Sequence, residues 1–251
     1  MAKTKVDATS RFARGRRLEQ RQDAIAERPR IARRIFDAAV DRAHPRSWLA
    51  AHLPPPPPRG RLILLAAGKA AGSMTQLAEA HYLDTLKLSP DRFLGQAVAR
   101  HGYEAPTRHI PMLAAGHPVP DEGSIASATR ALELAASATA DDLVLVLLSG
   151  GGSANWVAPA GTLALAEKQA VNKALLRSGA PIGEMNIVRK RLSRIKGGRL
   201  ALAAAPAKLL TLAVSDVPHD DPAAIASGPT VPDPSRSEEH TSELQSRINN
   251  S

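Results

Sequence analysis

The stretch from Leu143 to Pro234 limits the possible folds most, because it holds three polar loops that each lie next to an apolar run. Ser149-Gly-Gly-Gly-Ser153 follows LVLVLL, a basic segment runs from Asn186 to Arg199, and Ser215-Asp-Val-Pro218 follows LLTLAV. In open α/β sheets, glycine loops and acidic residues at the carboxyl ends of strands build phosphate sites. The stretch therefore predicts binding of a phosphorylated ligand.

Strand and helix patterns alternate along the rest of the chain as well. Predicted strands lie at 61–67, 96–100, 108–114, 143–148 and 209–214, with helices at 31–43, from 70, at 122–138, at 162–178 and through the basic segment. On the helix over 162–178 we expect Leu163, Ala166, Ala170 and Leu175 on the buried side. The alternation predicts an α/β fold, with a doubly wound, mostly parallel sheet and helices on both faces.

Both ends of the chain depart from this pattern. Residues 1–30 hold nine basic and four acidic side chains with little apolar periodicity, and we expect the tail over 1–28 to be disordered. From Arg236 the chain reads RSEEHTSELQS, which resembles a translated sequencing adapter. We interpret 236–251 as an assembly artefact, with a genuine polar tail as the alternative, and 29–235 as the folded domain.

Composition narrows the class of protein. The chain has no cysteine, which excludes disulfides and thiolate chemistry. No apolar run approaches the roughly 20 residues that span a bilayer, so we expect a cytoplasmic protein without a membrane partner. The formal charge is +9, but aromatic residues that could stack on bases make up only 3% of the chain, which disfavours nucleic acid as a partner. We expect a small-molecule partner; the sequence leaves the oligomeric state open.

Two loops offer groups that could act on a bound substrate. Lys69 lies between Gly68 and Gly72 after a predicted strand, where an ammonium group at the start of a helix could hold a phosphate or a carboxylate. Asp216 ends the last strand, where a carboxylate could take a proton from a hydroxyl group or hold Mg²⁺. We therefore predict Lys69 and Asp216 as catalytic residues, and we interpret His117 as a turn residue.

The glycine loop and the basic segment are predicted to bind the ligand. Glycine lets backbone N–H groups approach an anion closely, and arginine binds oxyanions through two parallel hydrogen bonds. The basic residues alternate with Ile187, Val188, Leu192 and Ile195, which suggests that the apolar side is buried and the basic side is presented. The predicted substrate- or phosphate-binding residues are Ser149, Gly150, Gly151, Gly152, Ser153, Asn186, Arg189, Lys190 and Lys196. No set of metal ligands is predicted.

Five ordered segments together resemble the glycerate 2-kinase family, whose members were often labelled hydroxypyruvate reductases. They are AAGKAAGSM, GHPVPDEGS, LLSGGGSANW, APIGEMNIVRKRLSRIKGGRLA and SDVPHDDPAAIASGPTVPDP, and the resemblance runs from Ile31 to Ser235. It implies a Rossmann-like first domain, a smaller second domain, and transfer of the γ-phosphoryl group of ATP to the 2-hydroxyl of glycerate, with ATP and Mg²⁺ as cofactors. It also implies that Lys69 stabilises the substrate or the phosphoryl group, and that Asp216 acts on the substrate hydroxyl.

The chain departs from the family pattern at three positions and in length. Arg191 stands where relatives commonly have histidine, His219 where glycine is usual, and Asn155 where an apolar residue is common. The resemblance implies a second domain that we expect to be missing here, and we therefore expect this polypeptide as written to have little or no kinase activity. Two alternatives stay open. One is an NAD(P)H-dependent hydroxypyruvate reductase, which the missing GxGxxG disfavours. The other is a non-enzymatic basic module that binds nucleic acid through its tail.

Overall fold

The computed structural model describes residues 27–233. The predicted disordered tail lies outside these residues except for 27 and 28, which are helical, and the predicted artefact over 236–251 lies outside them entirely. The chain divides into two compact units, Met1–Trp48 and Leu49–Ser251. In the first unit, residues 27–43 form helix α1, on which the apolar side chains of Ile31, Ile35, Phe36 and Val40 are exposed.

A five-stranded parallel sheet organises the second unit. Its strands are β1 Leu62–Ala67, β2 Phe93–Arg100, β3 Met112–Ala115, β4 Leu143–Leu148 and β5 Lys208–Ala213. Their order in the sheet is β3-β2-β1-β4-β5, and every neighbouring pair is parallel. The direction of winding reverses between β1 and β4, which creates a switch point where such sheets bind ligands. The predicted α/β class and doubly wound sheet are confirmed.

Helices connect these strands. They are α2 Leu49–His52, α3 Ala71–Glu79 with a π-helical continuation over Ala80–Thr85, α4 Glu122–Ala136, α5 Gly152–Asn155, α6 Leu165–Ser178, α7 Ile182–Arg191 and α8 Arg199–Ala204. Helix α3 contacts β1, β2 and β4, whereas α4 contacts β1, β2, β3 and α8. Among the helices that the structure describes, none combines the length and the apolar character that a bilayer crossing requires.

The two central strands are buried on both faces. Ile63 and Leu65 of β1 join one apolar cluster with Ala128 and Ala131 of α4. The intervening side chain of Leu64 points to the opposite face, because side chains alternate along a strand, and it is fully buried as well. Strands covered on both faces read as continuous apolar runs, which explains why LILLAA and LVLVLL stand out in the sequence.

The predicted buried face over 162–178 is right only in part, because Leu163 and Leu175 are half-buried. Ala166 and Ala170 are exposed, and the buried residue of α6 is Lys168. The ammonium group of Lys168 donates a hydrogen bond to the backbone oxygen of Leu192 over 2.5 Å. A buried polar group needs such a partner, and the partner here comes from a distant segment that helical periodicity does not encode.

The predicted orientation of the basic segment holds for only part of it, because Ile195 is fully buried and Leu192 is half-buried as expected. The side chains of Ile187 and Val188 are both 37% exposed, whereas Lys190 and Lys196 are buried. The segment does not form one helix either, because α7 ends at Arg191 and a turn precedes α8. Hydrogen-bonding partners for the ammonium groups therefore act together with the apolar packing of Ile195 in setting its orientation.

Candidate active site

The carboxyl ends of β1, β4 and β5 bring three predicted loops to the same edge of the sheet. Strand β1 leads into Gly68-Lys69, β4 into Ser149-Gly-Gly-Gly-Ser153, and β5 into Ser215-Asp216. Because β4 lies between β1 and β5, the glycine loop lies between the other two loops. This is the edge at which open α/β sheets bind their ligands.

Hydrogen bonds join the loops that follow β1 and β4. The backbone N–H of Lys69 donates to the oxygen of Gly150 over 2.8 Å, and the N–H of Ala70 donates to Ser149 Oγ over 2.8 Å. Gly68 has a φ of 115°, and a Cβ at this position would overlap Ser149. The buried hydroxyl of Ser149 therefore holds the two loops together.

Lys69 and Asp216, the two predicted catalytic residues, lie side by side. Lys69 Nζ is 3.9 Å from Asp216 Oδ2, and the two side chains are 59% and 55% exposed. The Asp216 carboxylate lies directly against Gly150, where any Cβ would overlap it. Exposed ion pairs of this kind contribute little to stability, so the pair can exchange its contact for a ligand at small cost.

His117, which the sequence suggested to be a turn residue, also faces this group. A Cβ on Gly151 would lie 3.2 Å from its ring atom Nε2 and 3.6 Å from Lys69 Cγ, so both side chains border Gly151. Burial lowers the pKa of His117, and the positive charges of Lys69 and Arg100 lower it further against the opposing effect of Asp216. The imidazole is therefore neutral at pH 7 and can accept a proton. Its position just after β3 was the signal that could have identified it.

A cavity of about 520 Å³ lies beside the glycine loop. Its wall includes the turn after β3 and parts of α5, α6 and α7. The described residues that line it include no carboxylate. They do include four cations and a hydroxyl group, which are Lys168, Lys173, Arg189, Lys196 and Ser153. Apolar side chains complete much of the remaining wall, among them Pro118, Val119, Val157 and Leu176.

Two lysines of the cavity are held by neutral oxygens. Lys196 Nζ donates to both the backbone oxygen and Oγ of Ser153, over 2.7 Å each, and Ser153 Oγ shares a hydrogen bond of 2.7 Å with Ser227 Oγ. Lys168 bonds to a backbone oxygen, as described above. Burial is the main cause that lowers the pKa of Lys168 to about 8 and that of Lys196 to about 7, and the nearby positive charge of Arg189 contributes to both shifts. The cavity therefore carries positive charge that no carboxylate in its lining offsets.

The other predicted residues of the basic segment support this arrangement. Arg189 donates from Nη1 to Asn186 Oδ1 over 3.3 Å and from Nε to Asn172 Oδ1 over 3.2 Å, so Asn186 orients the guanidinium group. Lys190 does not line the cavity, because its Nζ lies 3.5 Å from Asp233 Oδ1 in a buried ion pair.

The structure thus divides the predicted site residues into two groups. Lys69, Asp216, Gly150 and Gly151 meet at the sheet edge, whereas Ser153, Arg189 and Lys196 line the cavity. Gly152 begins α5 and connects the two groups along the chain. Sequence reasoning missed His117 and Lys168. The signal for Lys168 was that its helix lacks a continuous apolar stripe. Such a helix must pack against the rest of the protein partly through polar side chains.

Residues 31–249 match the family model described as a domain of unknown function, DUF4147. A putative hydroxypyruvate reductase of Agrobacterium vitis is 52% identical over 204 residues, which are 81% of this chain and 45% of the relative. The D-glycerate 2-kinase of Thermotoga maritima is 44% identical over 180 residues, which are 71% of this chain and 42% of the relative.

A solved structure extends these similarities to the fold. The crystal structure of a glycerate kinase from Thermotoga maritima superposes with a TM-score of 0.67 at 39% identity, over 84% of this chain and 48% of the other. The chain therefore spans a little under half the length of the relatives that it matches.

Proposed function

The chain belongs to the DUF4147 family, the glycerate 2-kinase family that its motifs resemble, and from this premise we propose that it takes part in the ATP-dependent phosphorylation of glycerate at the 2-hydroxyl. The products are 2-phosphoglycerate and ADP. One observation carries the proposal: an ammonium group and a carboxylate, on Lys69 and Asp216, meet 3.9 Å apart beside two glycines at the switch edge of the sheet. Phosphoryl transfer needs positioned charges of this kind more than it needs covalent catalysis.

Each group at the sheet edge has a part in this reaction. The 2-hydroxyl oxygen bonds to the γ-phosphorus while the bond from that phosphorus to the β,γ-bridging oxygen breaks. The hydroxyl proton passes to Asp216, and the Lys69 ammonium offsets the negative charge of the phosphoryl oxygens. Gly150 and Gly151 leave room for the reacting atoms next to these side chains. His117 borders the same space and can accept a hydrogen bond from glycerate.

Magnesium would enter this site together with the nucleotide. Among residues 27–233, no three His, Asp or Glu side chains group as a metal site would require. Mg²⁺ commonly binds through one or two carboxylates, substrate phosphates and water, and the exposed Asp216 carboxylate fits that requirement. A bound ion would neutralise phosphate charge.

Reduction of hydroxypyruvate is the competing activity, and the name of the Agrobacterium vitis relative suggests it. A dinucleotide at this edge would place its pyrophosphate against the backbone N–H groups of the first strand–helix turn. Here the N–H of Lys69 is bonded to Gly150 and that of Ala70 to Ser149, so two of these donors are already occupied. The site therefore supports phosphoryl transfer better than hydride transfer.

A chimaeric enzyme tests the proposal. Residues 31–233 of this chain would replace the matching segment of the Thermotoga maritima D-glycerate 2-kinase, which supplies the rest of a catalytic chain. We expect ADP formation that depends on D- or L-glycerate, with 2-phosphoglycerate identified by phosphorus NMR. Circular dichroism and gel filtration would verify that the chimaera folds. A folded chimaera that forms no 2-phosphoglycerate, or that oxidises NADH or NADPH with hydroxypyruvate, would contradict the proposal.

A further inference from the structure

We propose that the cavity lined by Lys168, Arg189, Lys196 and Ser153 is the nucleotide site, and that its cations hold the polyphosphate tail of ATP or ADP. This inference rests on the proposed function and adds to it the location of one of the two substrates. It also assigns a binding role to Lys168, which the sequence motifs did not indicate.

The size of the cavity favours a nucleotide over glycerate. Its volume of about 520 Å³ falls within the range of roughly 300–1,000 Å³ that is typical of sites for larger organic ligands. A three-carbon hydroxy acid would leave most of this space unfilled. The apolar side chains of Val119, Val157 and Leu176 would have no partner on glycerate, whereas a nucleoside offers them a base and a sugar.

The charge of the cavity favours a ligand with several negative charges. Its lining holds four basic side chains and no acidic one. Three of them are fixed by neutral oxygens: Lys168 by a carbonyl, Lys196 by Ser153, and Arg189 by two amides. Their positive charge is therefore available to a ligand. A diphosphate or triphosphate matches this charge, while glycerate carries a single carboxylate.

The position of the cavity suits transfer to the sheet edge. Ser153, which Lys196 contacts, follows directly on the glycines that border Lys69 and Asp216. A phosphate tail held by Lys196 and Ser153 would thus end close to the groups that act on glycerate. The burial that lowers the pKa of Lys168 and Lys196 supports the same conclusion, because a bound anion would restore the charged forms.

Binding of fluorescent N-methylanthraniloyl-ADP to the 251-residue chain tests the inference. We expect unlabelled ADP and tripolyphosphate to displace this probe, and D- and L-glycerate to leave it bound. Lys168→Met and Arg189→Met should each weaken ADP binding at least roughly tenfold, because each removes a charged phosphate contact. Arg177→Met, an exposed change on the same helix α6, is the matched control and should stay within about twofold of the unchanged chain.

Two further variants cover the case in which a methionine substitution disturbs the fold. Lys168→Arg keeps the charge and should retain ADP binding. Leu176→Glu changes a side chain that is 66% exposed, so folding should be unaffected, yet the added negative charge should weaken ADP binding. Thermal melting of every variant would separate loss of binding from loss of structure.

The outcomes separate this inference from the proposed function. If glycerate rather than ADP binds and depends on Lys168, the inference is wrong and glycerate phosphorylation still stands. If ADP binding depends on Lys168 while a folded chimaera phosphorylates no glycerate, the cavity assignment stands and the proposed substrate is wrong. A folded chain that fails to bind ADP, or that binds it equally well in all variants, overturns the inference.

Discussion

The sheet edge and the cavity present positive charge in opposite ways. At the edge, Lys69 is more than half exposed and lies beside the carboxylate of Asp216. In the cavity, Lys168 and Lys196 are buried, and their hydrogen-bond partners are neutral oxygens. An exposed ion pair rearranges at small cost, whereas neutral oxygens leave the charge of a buried cation uncompensated, so that a bound anion would stabilise it. The sheet edge is thus suited to a reaction step in which the ion pair rearranges around a substrate, and the cavity is suited to stable binding of an anion.

Replacing the exposed lysine should have the largest effect on turnover. In the chimaeric enzyme, Lys69→Met should lower kcat by roughly 100- to 1,000-fold, because a charge that stabilises the transferring phosphoryl group is lost. Stability should hardly change, since the side chain is 59% exposed. Steady-state ADP release and thermal melting would measure the two effects. Lys87→Met, at another exposed lysine, is the control, and equal rates for the two variants would refute the assignment.

Raising the pH should weaken anion binding in the cavity. Lys69 at the sheet edge should not contribute to this pH dependence. The pKa values of about 7 for Lys196 and about 8 for Lys168 mean that Lys196 is about half charged at pH 7 and that both side chains are mostly neutral by pH 9. A bound anion favours the protonated forms, so affinity for ADP should fall at least roughly tenfold over this interval. The other charged side chains lining the cavity are Arg189 and Lys173.

Two variants sharpen this pH measurement. Lys168→Arg should flatten the profile, because an arginine keeps its charge over the whole interval. Lys69→Met should leave the slope unchanged. Calorimetric titrations of ADP into the chain at several pH values would give the affinities, and a profile without slope would show that the buried lysines do not hold the ligand.

The buried lysine should also lower the stability of the ligand-free chain. Burial depresses the pKa of Lys168 from its ordinary 10.5 to about 8, so its charged form is disfavoured in the folded state. The resulting loss in the free energy of unfolding is largest below pH 8, where Lys168 is charged in both states, and decreases as the pH rises toward 10.5. We expect Lys168→Met to raise the free energy of unfolding at pH 7 by about 1 kcal/mol after the lost hydrogen bond is counted. A gain as large at pH 10 as at pH 7, measured by urea unfolding, would contradict this cause.

The smallest expected effect lies in the loop beside Asp216. His219 has a φ of 65°, in the left-handed region that favours glycine. We expect His219→Gly to stabilise the chain by about 0.5–1 kcal/mol, since strain is relieved while unfolded-state freedom increases. Glu104→Gly, in an exposed loop without positive φ, should destabilise it instead. Equal changes for the two variants in chemical unfolding would show that His219 is not strained.

The sequence predicted the sheet far better than the cavity. Runs such as LVLVLL are apolar because both sheet faces are covered, and their strand boundaries follow from that local pattern. Lys69 and Asp216 were predictable for the same reason, since each follows a strand whose carboxyl end must reach the common edge. Local patterns therefore suffice wherever the topology itself positions a residue.

The cavity depends on partners that are distant in sequence. Lys168 is buried through a bond to Leu192, and Lys196 through bonds to Ser153. The periodicity of apolar residues within a helix does not reveal that a lysine has such a partner. The apolar residues of the helix over 162–178 were therefore predicted to be on the buried side. His117 does lie in a turn, as the sequence indicated, but its position beside Gly151 could not be predicted, because Gly151 belongs to a loop that is distant in sequence.

The bonds between the loops after β1 and β4 have a consequence for anyone who redesigns this protein. Gly68 has no room for a side chain because Ser149 occupies the space, and the backbone of Lys69 is tied to Gly150. The positions of Lys69 and of Gly150, which faces Asp216, are therefore coupled. Mutant libraries that vary only the loop after β1 or only the loop after β4 would mostly displace the other loop. The two loops should therefore be varied together.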